Sequence, residues 1–533
     1  MSSAKSYDAI IVGCGPVGVI AAHLLGHAGI STLVIERDRE PYELPRAIHI
    51  DHEIMRILQS VGLAELILPH LTMPAGAMHF GADRSVIRQF QQIVQTDRLG
   101  WGSDYFFYQP DIERTLRAAL AQRETVTVLF GHALTAIEQD GDGVTITADG
   151  GEGPIRVSAR YLLGCDGGRS ATRKCVGAEL VDLGFDEPWV VVDALVDGPV
   201  TMPDLHGTPD GVDMQQVMFI VADPARPTSV IPGVGRHRRW EFMMLPGETA
   251  DDFAAPEAVA PLLAPWLLDS EHRLIRVAVY RFHALLADRW QADRVFLVGD
   301  AAHQTPPFFG QGLCHGIRDA ANLVWKLKLV LDGVATPALL ASYQPERLPQ
   351  VRGVIEASMR AGQYLCTLDH EAAARRDVAM RAIAARTAPG YVDIIPPLMD
   401  GVLDPAAAST TGATGSRFIQ PPVLDRLGRR MLLDSATGGG FVLLATTARL
   451  LDDIAEARPM PGLAIECFRV TDRDGHADGR ALTDCTGELA RWFDHYQCRG
   501  MLLRPDGYVY GTFSTAGQAV AMLGALHRQL AAA

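Results

Sequence analysis

The chain has 533 residues, 48% apolar and 21% charged, with a formal charge of −15. That length exceeds one compact core, so two or three domains are expected, and the acidic balance argues against nucleic acid and anionic membranes. The eight cysteines are scattered without a C-x-x-C pair, which fits a reducing cytoplasm better than a disulfide framework or a structural zinc site.

In chain order, Asp8 to Val12 is a continuous apolar run of the kind that parallel sheets bury on both faces. A helix is expected from about Pro16 to Ala28, stopped by Gly29, and then a second parallel strand, Thr32 to Ile35, ending on Glu36. A strand this near the first residue leaves no room for a signal peptide. No stretch of about 18 uncharged apolar residues occurs, so a soluble cytoplasmic protein is expected. Trp189–Val196, Gln216–Val221, Ser229–Ile231 and Trp240–Leu245 are short β-branched and aromatic runs between Pro and Gly. They predict an antiparallel sheet inserted into the first domain. Helical periodicity covers Gly316 to Leu331, with Lys326 and Lys328 read as a solvated face, and a long helical region is expected over Pro345 to Arg386. The Ala/Ser/Thr/Gly-rich stretch near 400–415 reads as a linker. Strands at Gly440–Thr446, Ala464–Val470, Gly500–Arg504 and Tyr508–Gly511, and a last helix over Ala516–Leu530, predict a small α/β domain.

The divisions expected are therefore 1–180, a dinucleotide-binding domain with a substrate-facing segment at about 72–105; 181–285, the inserted sheet; 286–400, its second part with long helices; and 415–533. Gly13, Gly15 and Gly18 sit where a strand turns into a helix, letting backbone approach a pyrophosphate at the helix N-terminus. Glu36 is placed to accept from a ribose hydroxyl pair, with Arg37 beside it. This fingerprint alone leaves FAD and NAD both open. No metal constellation appears around His49, His52, His303 or His315, and no Gly-x-Ser-x-Gly elbow occurs.

Gly299-Asp300-Ala301-Ala302-His303, continuing to Pro306-Pro307-Phe308-Phe309-Gly310-Gln311-Gly312, resembles the signature of class A FAD-dependent aromatic hydroxylases, the flavoprotein monooxygenases. The resemblance implies that Asp300 contacts the flavin ribityl chain and that Pro307, Gly310, Gly312 and Leu313 pack against the isoalloxazine. His303 is expected to be structural. Asp166-Gly167, with Arg169, Ser170 and Arg173, resembles the family's middle motif; Thr172 stands where a branched apolar residue is usual. Gln109 and Arg46 match its other cofactor-facing positions. Cys314, Tyr108-Gln109-Pro110 and Leu503-Arg504-Pro505-Asp506-Gly507 are similar to the 3-(3-hydroxyphenyl)propionate hydroxylase branch, whose C-terminal domain is thioredoxin-like without redox cysteines. The fold class implied is α/β, a Rossmann-like FAD-binding domain with an inserted antiparallel-sheet substrate domain and that C-terminal domain. Cys485 and Cys498 are too far apart in sequence for a redox pair, and the C-terminal domain is expected to be structural, a homodimer contact being one role open to it.

The activity implied is NADH- or NADPH-driven hydroxylation of a small phenolic compound with O₂, through oxygen addition at flavin C4a. There is no second dinucleotide fingerprint, so the nicotinamide cofactor visits transiently. His49, Tyr280 and Arg281 are candidates for meeting the substrate, Arg281 as a carboxylate holder, with Pro307, Phe308 and Phe309 as a water-excluding wall. Hydroxylation of a polyketide, quinolone or other bulky aromatic, a ring-opening oxygenation, an O₂-avoiding flavin dehydrogenase and a flavin-free carrier like the GDP-dissociation inhibitors are the alternatives.

Overall fold

The computed structural model describes residues 6–90, 98–151, 153–268, 270–386, 393–406, 412–425, 427–457, 462–472 and 481–531. Its first sheet is built on five parallel strands: Val295–Leu297, Gly153–Gly164, Ser6–Val12, Thr32–Glu36 and Val126–Phe130, in that spatial order. Ile10, Ile11, Leu33, Val34, Leu162 and Leu163 are all buried, because helices or further strands cover both faces. The Pro16–His27 helix follows the first strand and packs on the Gly312–Leu331 helix.

The second sheet has eight strands. Leu180–Asp197 lies between His237–Met243 and Glu271–Ala287, and Thr228–Pro232 and Val217–Val221 follow outward. It differs from the expected antiparallel insert in two ways. Val217–Val221 pairs in parallel with Gly76–Phe80, so the 72–105 segment supplies strands to this sheet. At the other edge, His303–Gln304 pairs with Leu285 and Leu286, so the Gly299–Gly312 motif is itself stitched to the substrate-facing sheet. One face of the sheet packs Val190, Val192, Trp240 and Phe242 onto Leu263 and Trp266. The opposite face carries Asp193, Arg239, Glu241 and Arg276, the alternation that a period of two imposes.

The expected helical region over 345–386 is two helices, Tyr343–Leu365 and His370–Ala384, broken at Cys366–Asp369, where Asp369 caps the second by accepting from the Ala372 N–H. The expected linker is no free tether. Val402, Asp404 and Ala413 are buried, while 407–411 lie outside the described residues. The C-terminal sheet has seven strands, among them Ile465–Thr471, Phe441–Ala445, Gly500–Leu503 and Val509–Phe513 in spatial order. The expectation missed Pro422–Leu424, Arg430–Leu432 and Ala481–Asp484, each of three or four residues.

This last unit is tied to the rest by buried ion pairs. Arg417 and Tyr508 meet Glu53 at 3.0 and 2.9 Å, and Arg56 binds Asp434 through two nitrogens. Arg504 donates to Glu346 at 2.6 Å and to Asp506 at 2.7 Å. Lys326 corrects the reading of a solvated face: it is fully buried, 2.9 Å from Glu346. Lys328 is partly exposed and pairs with Asp332. Burial pulls the Lys326 amine down to about 8, opposed by Glu346.

Burial alone would raise the Glu346 carboxyl, but Arg504 and Lys326 hold it at about 2. A carboxyl depressed in the folded state stabilises above its unfolded value and loses that contribution as pH falls through the folded one. Stability to urea is therefore expected to fall from about pH 5 to about pH 2. Glu346→Gln should flatten that slope and cost about 3–5 kcal/mol at neutral pH, because it leaves Lys326 and Arg504 under-compensated.

Candidate active site

The signature segments converge on the carboxyl edge of the parallel sheet, the usual ligand side of open α/β sheets. Gly13 follows the first strand, Glu36 ends the second, Cys165-Asp166 follows Gly153–Gly164, and Gly299-Asp300 lies just beyond Val295–Leu297. A single cavity of about 1480 Å³ runs along them and continues beneath the second sheet. Pockets for drug-sized ligands run about 300–1,000 Å³, so a dinucleotide and a second small molecule have room together.

The residues fit FAD. Gly13 has φ +98°, and a Cβ there would lie 2.6 Å from the Cys165 carbonyl oxygen; a Cβ on Gly18 would lie 2.0 Å from the Gly13 oxygen. Turn, helix and middle motif are thus in backbone contact. A Cβ on Gly15 or on Gly312 would meet nothing, since both positions face the open cavity. Glu36 accepts from the Cys14 and Asp38 N–H groups at 2.7 and 3.0 Å, which fixes its carboxylate at the cavity wall. Arg37 lines the same wall, exposed and paired with Asp38.

Asp166 accepts from Ser170 Oγ and from both the backbone N–H and hydroxyl of Thr172. The residue that departs from the family pattern therefore does a definite job, holding Asp166. Arg173 donates to the carbonyls of Ala301 and Gly168, locking the middle motif to the Gly299-Asp300 turn. Asp300 is exposed at the cavity wall, and its deep setting pushes its carboxyl up against the pull of His303 and Arg46. His303 is buried and 2.7 Å from Asp319.

Gln109 is buried, and its Oε1 accepts from the Arg46 and Ala47 N–H groups at 2.9 and 2.6 Å. Its amide holds the Arg46 segment in place. Arg46 itself is exposed, lies 4.2 Å from the Tyr42 ring and lines the cavity. Pro307, Gly310, Gly312 and Leu313 line it too, and the Gly312–Leu331 helix begins there with its positive dipole end. Phe308 packs edge-on against Phe185, Trp189 and Phe282 at 5.8–6.1 Å, a continuous aromatic wall.

The candidates for meeting the substrate separate. His49 Nε2 lies 2.7 Å from Asp104 Oδ1, and Nδ1 lies 3.3 Å from the Gly310 carbonyl. Burial alone would lower its pKa, but the Asp104 hydrogen bond and charge raise it well above the ordinary value. Each ring nitrogen lies within hydrogen-bond reach of an oxygen, so His49 ties Asp104 to the Gly310 loop. Tyr280 lines the cavity with the Arg276 guanidinium 4.5 Å from its ring centre. Arg281 also borders the cavity, but its side chain is 55% exposed and bound to Asp186 at 2.8 Å.

Sequence reasoning passed over the charged group under the second sheet. Asp193 accepts from Arg239 at 2.8 Å and from His237 at 2.8 Å, with Arg276 3.9 Å away. Arg239 and Arg276 both donate to the Pro45 carbonyl, and Arg239 also to that of Arg46. The signal was present in Arg239-Trp240-Glu241-Phe242, whose alternating charges match a sheet face turned toward a polar chamber.

Residues 6–358 match the family model described as FAD binding domain, and 415–529 match the HcaD C-terminal domain. The chain is 35% identical over 537 residues, 99% of its length and 95% of the relative, to "Probable NADH-specific resorcinol 4-hydroxylase" of Rhodococcus jostii. It is also 35% identical over 522 residues, 95% of its length and 89% of the relative, to 3-(3-hydroxy-phenyl)propionate/3-hydroxycinnamic acid hydroxylase of a Mycobacterium strain. In fold it is similar to the flavin-dependent monooxygenase PieE (TM-score 0.80, 22% identity, 99% of both chains). Aklavinone-11 hydroxylase is a second such structure (TM-score 0.78, 23% identity, 99% of both chains).

Gly18→Ala drives a methyl into the Gly13 carbonyl, so purified protein is expected to carry less than about a tenth of the wild-type FAD; absorbance at 450 nm against protein checks it. With its turn, middle motif and Gly299–Gly312 loop closed around one cavity, and with these relatives over its whole length, the chain belongs to the FAD-dependent aromatic hydroxylases.

Proposed function

We propose that this chain uses NADH or NADPH and O₂ to hydroxylate a phenolic compound of the 3-hydroxyphenylpropionate type. The observation that carries the reading is the continuity of the cavity from the Gly13 turn, past Pro307–Gly312, to the polar floor at Glu241 and Arg276. Relatives named for 3-(3-hydroxy-phenyl)propionate, 33–35% identical over 95–96% of this chain, support the substrate class.

Bound FAD supplies the electron relay and the activation of oxygen. The chain's own residues position and shield. Gly13, Gly15 and Gly18 admit the pyrophosphate, Glu36 the ribose, and Asp166, Asp300, Pro307, Gly310, Gly312 and Leu313 the remainder of the cofactor. Gln109 and Arg46 frame its side. His49 holds the Gly310 loop, and the Phe308 wall keeps water from the ring to be oxygenated.

Arg281 is spoken for by Asp186, so a substrate carboxylate falls to Arg276, whose Nη2 is buried without a hydrogen-bond partner. Charge-assisted hydrogen bonds are worth about 1.5–3 kcal/mol. Arg276→Met should therefore raise KM for 3-(3-hydroxyphenyl)propionate more than about tenfold while changing that for resorcinol much less. The resorcinol relative and the outward pairing of Arg281 favour a second reading, a neutral dihydric phenol.

The deciding experiment is aerobic consumption of NADH and of NADPH by FAD-loaded protein, alone and with each phenol, with products resolved by mass. Stimulated consumption and a product one oxygen heavier supports the reading. Stimulation by resorcinol only would select the second one. No stimulation by either would overturn both.

A further inference from the structure

One group under the second sheet has a geometry unlike the rest. Both oxygens of Asp193 are met, by Arg239 and by His237 Nε2. Glu241 does not take part. It projects from His237–Met243 on the cavity side, between Ser229 on one neighbouring strand and Val191 on the other, and all three line the cavity. Among the described residues its carboxylate accepts no hydrogen bond, and its accessible part opens to the cavity.

A carboxylate in such a place costs free energy unless something polar comes to meet it. Arg239 and Arg276 supply charge at a distance, with no direct bond, and balance it against Asp193. The orphaned Nη2 of Arg276 is a donor left unmet in the same chamber. A carboxylate acceptor without a donor, opening to the cavity beside the positive charge of Arg276, describes a ligand carrying a hydroxyl.

We infer that Glu241 is the catalytic residue that receives the phenolic hydroxyl proton of the substrate. The phenol O–H bond breaks, its electron pair stays on the phenol oxygen, and a carboxylic O–H forms on Glu241. The ring carbons ortho and para to that oxygen become richer in electrons and attack an electrophilic oxygen more readily. When the ring regains aromaticity, the newly oxygenated carbon gives up its hydrogen as a proton, and the second atom of O₂ leaves as water with NAD(P)H supplying the two electrons. Glu241 returns its proton to the phenol oxygen and so ends as it began. Burial pushes the Glu241 carboxyl above its ordinary value, and Asp193 adds to this against Arg239 and Arg276. That narrows the gap to a phenol near 10 and makes the transfer less uphill.

This inference rests on the phenol-hydroxylase reading, and the test separates the two. Wild type, Glu241→Gln and Glu241→Asp are compared as FAD-loaded protein, with product counted per NAD(P)H consumed. The expected result is hydroxylated product from wild type and a rate at least about 100-fold lower in Glu241→Gln. FAD content and phenol binding, read by flavin difference spectra, should stay within about threefold. Glu241→Asp keeps the charge balance with Arg239 and Arg276 but withdraws the oxygen by one methylene, so it should fold normally and lose more than about tenfold. Product formation within about threefold of wild type in either variant would overturn the role of Glu241. Absence of product from wild type itself would instead overturn the phenol-hydroxylase reading.

Discussion

The Gly312–Leu331 helix carries four side chains that bring charge or strong polarity into the interior: Arg318, Asp319, Asn322 and Lys326, each no more than 3% exposed. An unpaired charge there would cost several kcal/mol, so each must find its partner. Arg318 takes Asp51 and Glu53, Asp319 takes Arg347 and His303, and Asn322 and Lys326 take Glu346. The partners come from segments far apart in the chain. Satisfying one helix therefore aligns the early Asp51–Glu53 segment, the Gly299–His303 turn, the Tyr343–Leu365 helix and, through Arg504 and Asp506, the C-terminal unit. The first turn of that same helix lines the cavity, so the flavin-facing loop inherits its position from this set of ion pairs.

The cavity divides the work between two sheets. The parallel sheet brings backbone turns and three carboxylates, Glu36, Asp166 and Asp300, to the cavity on the side proposed for the cofactor, and the second sheet brings a polar floor to the side proposed for the substrate. His49 and Phe308 stand at the seam, one fixing the Gly310 carbonyl and the other closing an aromatic wall.

How much of this was legible depends on the distance over which each residue finds its partner. Gly13, Gly18, Glu36 and Asp166 act within local turns, and short segments of sequence displayed them. Lys326 looked like half of a solvated pair because its partners, Glu346 and Arg504, are remote in the chain. Glu241 and Arg276 were missed because an inward polar face of a sheet has the same alternation as a solvated one. Arg281 was the expected carboxylate holder; it borders the cavity but pairs with Asp186, while strand alternation places Arg276 on the face that carries Asp193 and Arg239. The 72–105 segment was expected to face the substrate, but its strands were not named, since their pairing with Val217–Val221 joins segments well over a hundred residues apart.

The two-residue strand His303–Gln304 gives the molecule a mechanical linkage. Leu285 and Leu286, which it pairs with, lie on the strand that also carries Arg276, Tyr280 and Phe282. A guest that shifts that strand by a fraction of an ångström pulls on a backbone ladder ending three residues from Asp300. The floor strand and the Gly299–Gly312 turn therefore share backbone hydrogen bonds and form one continuous piece of the cavity wall.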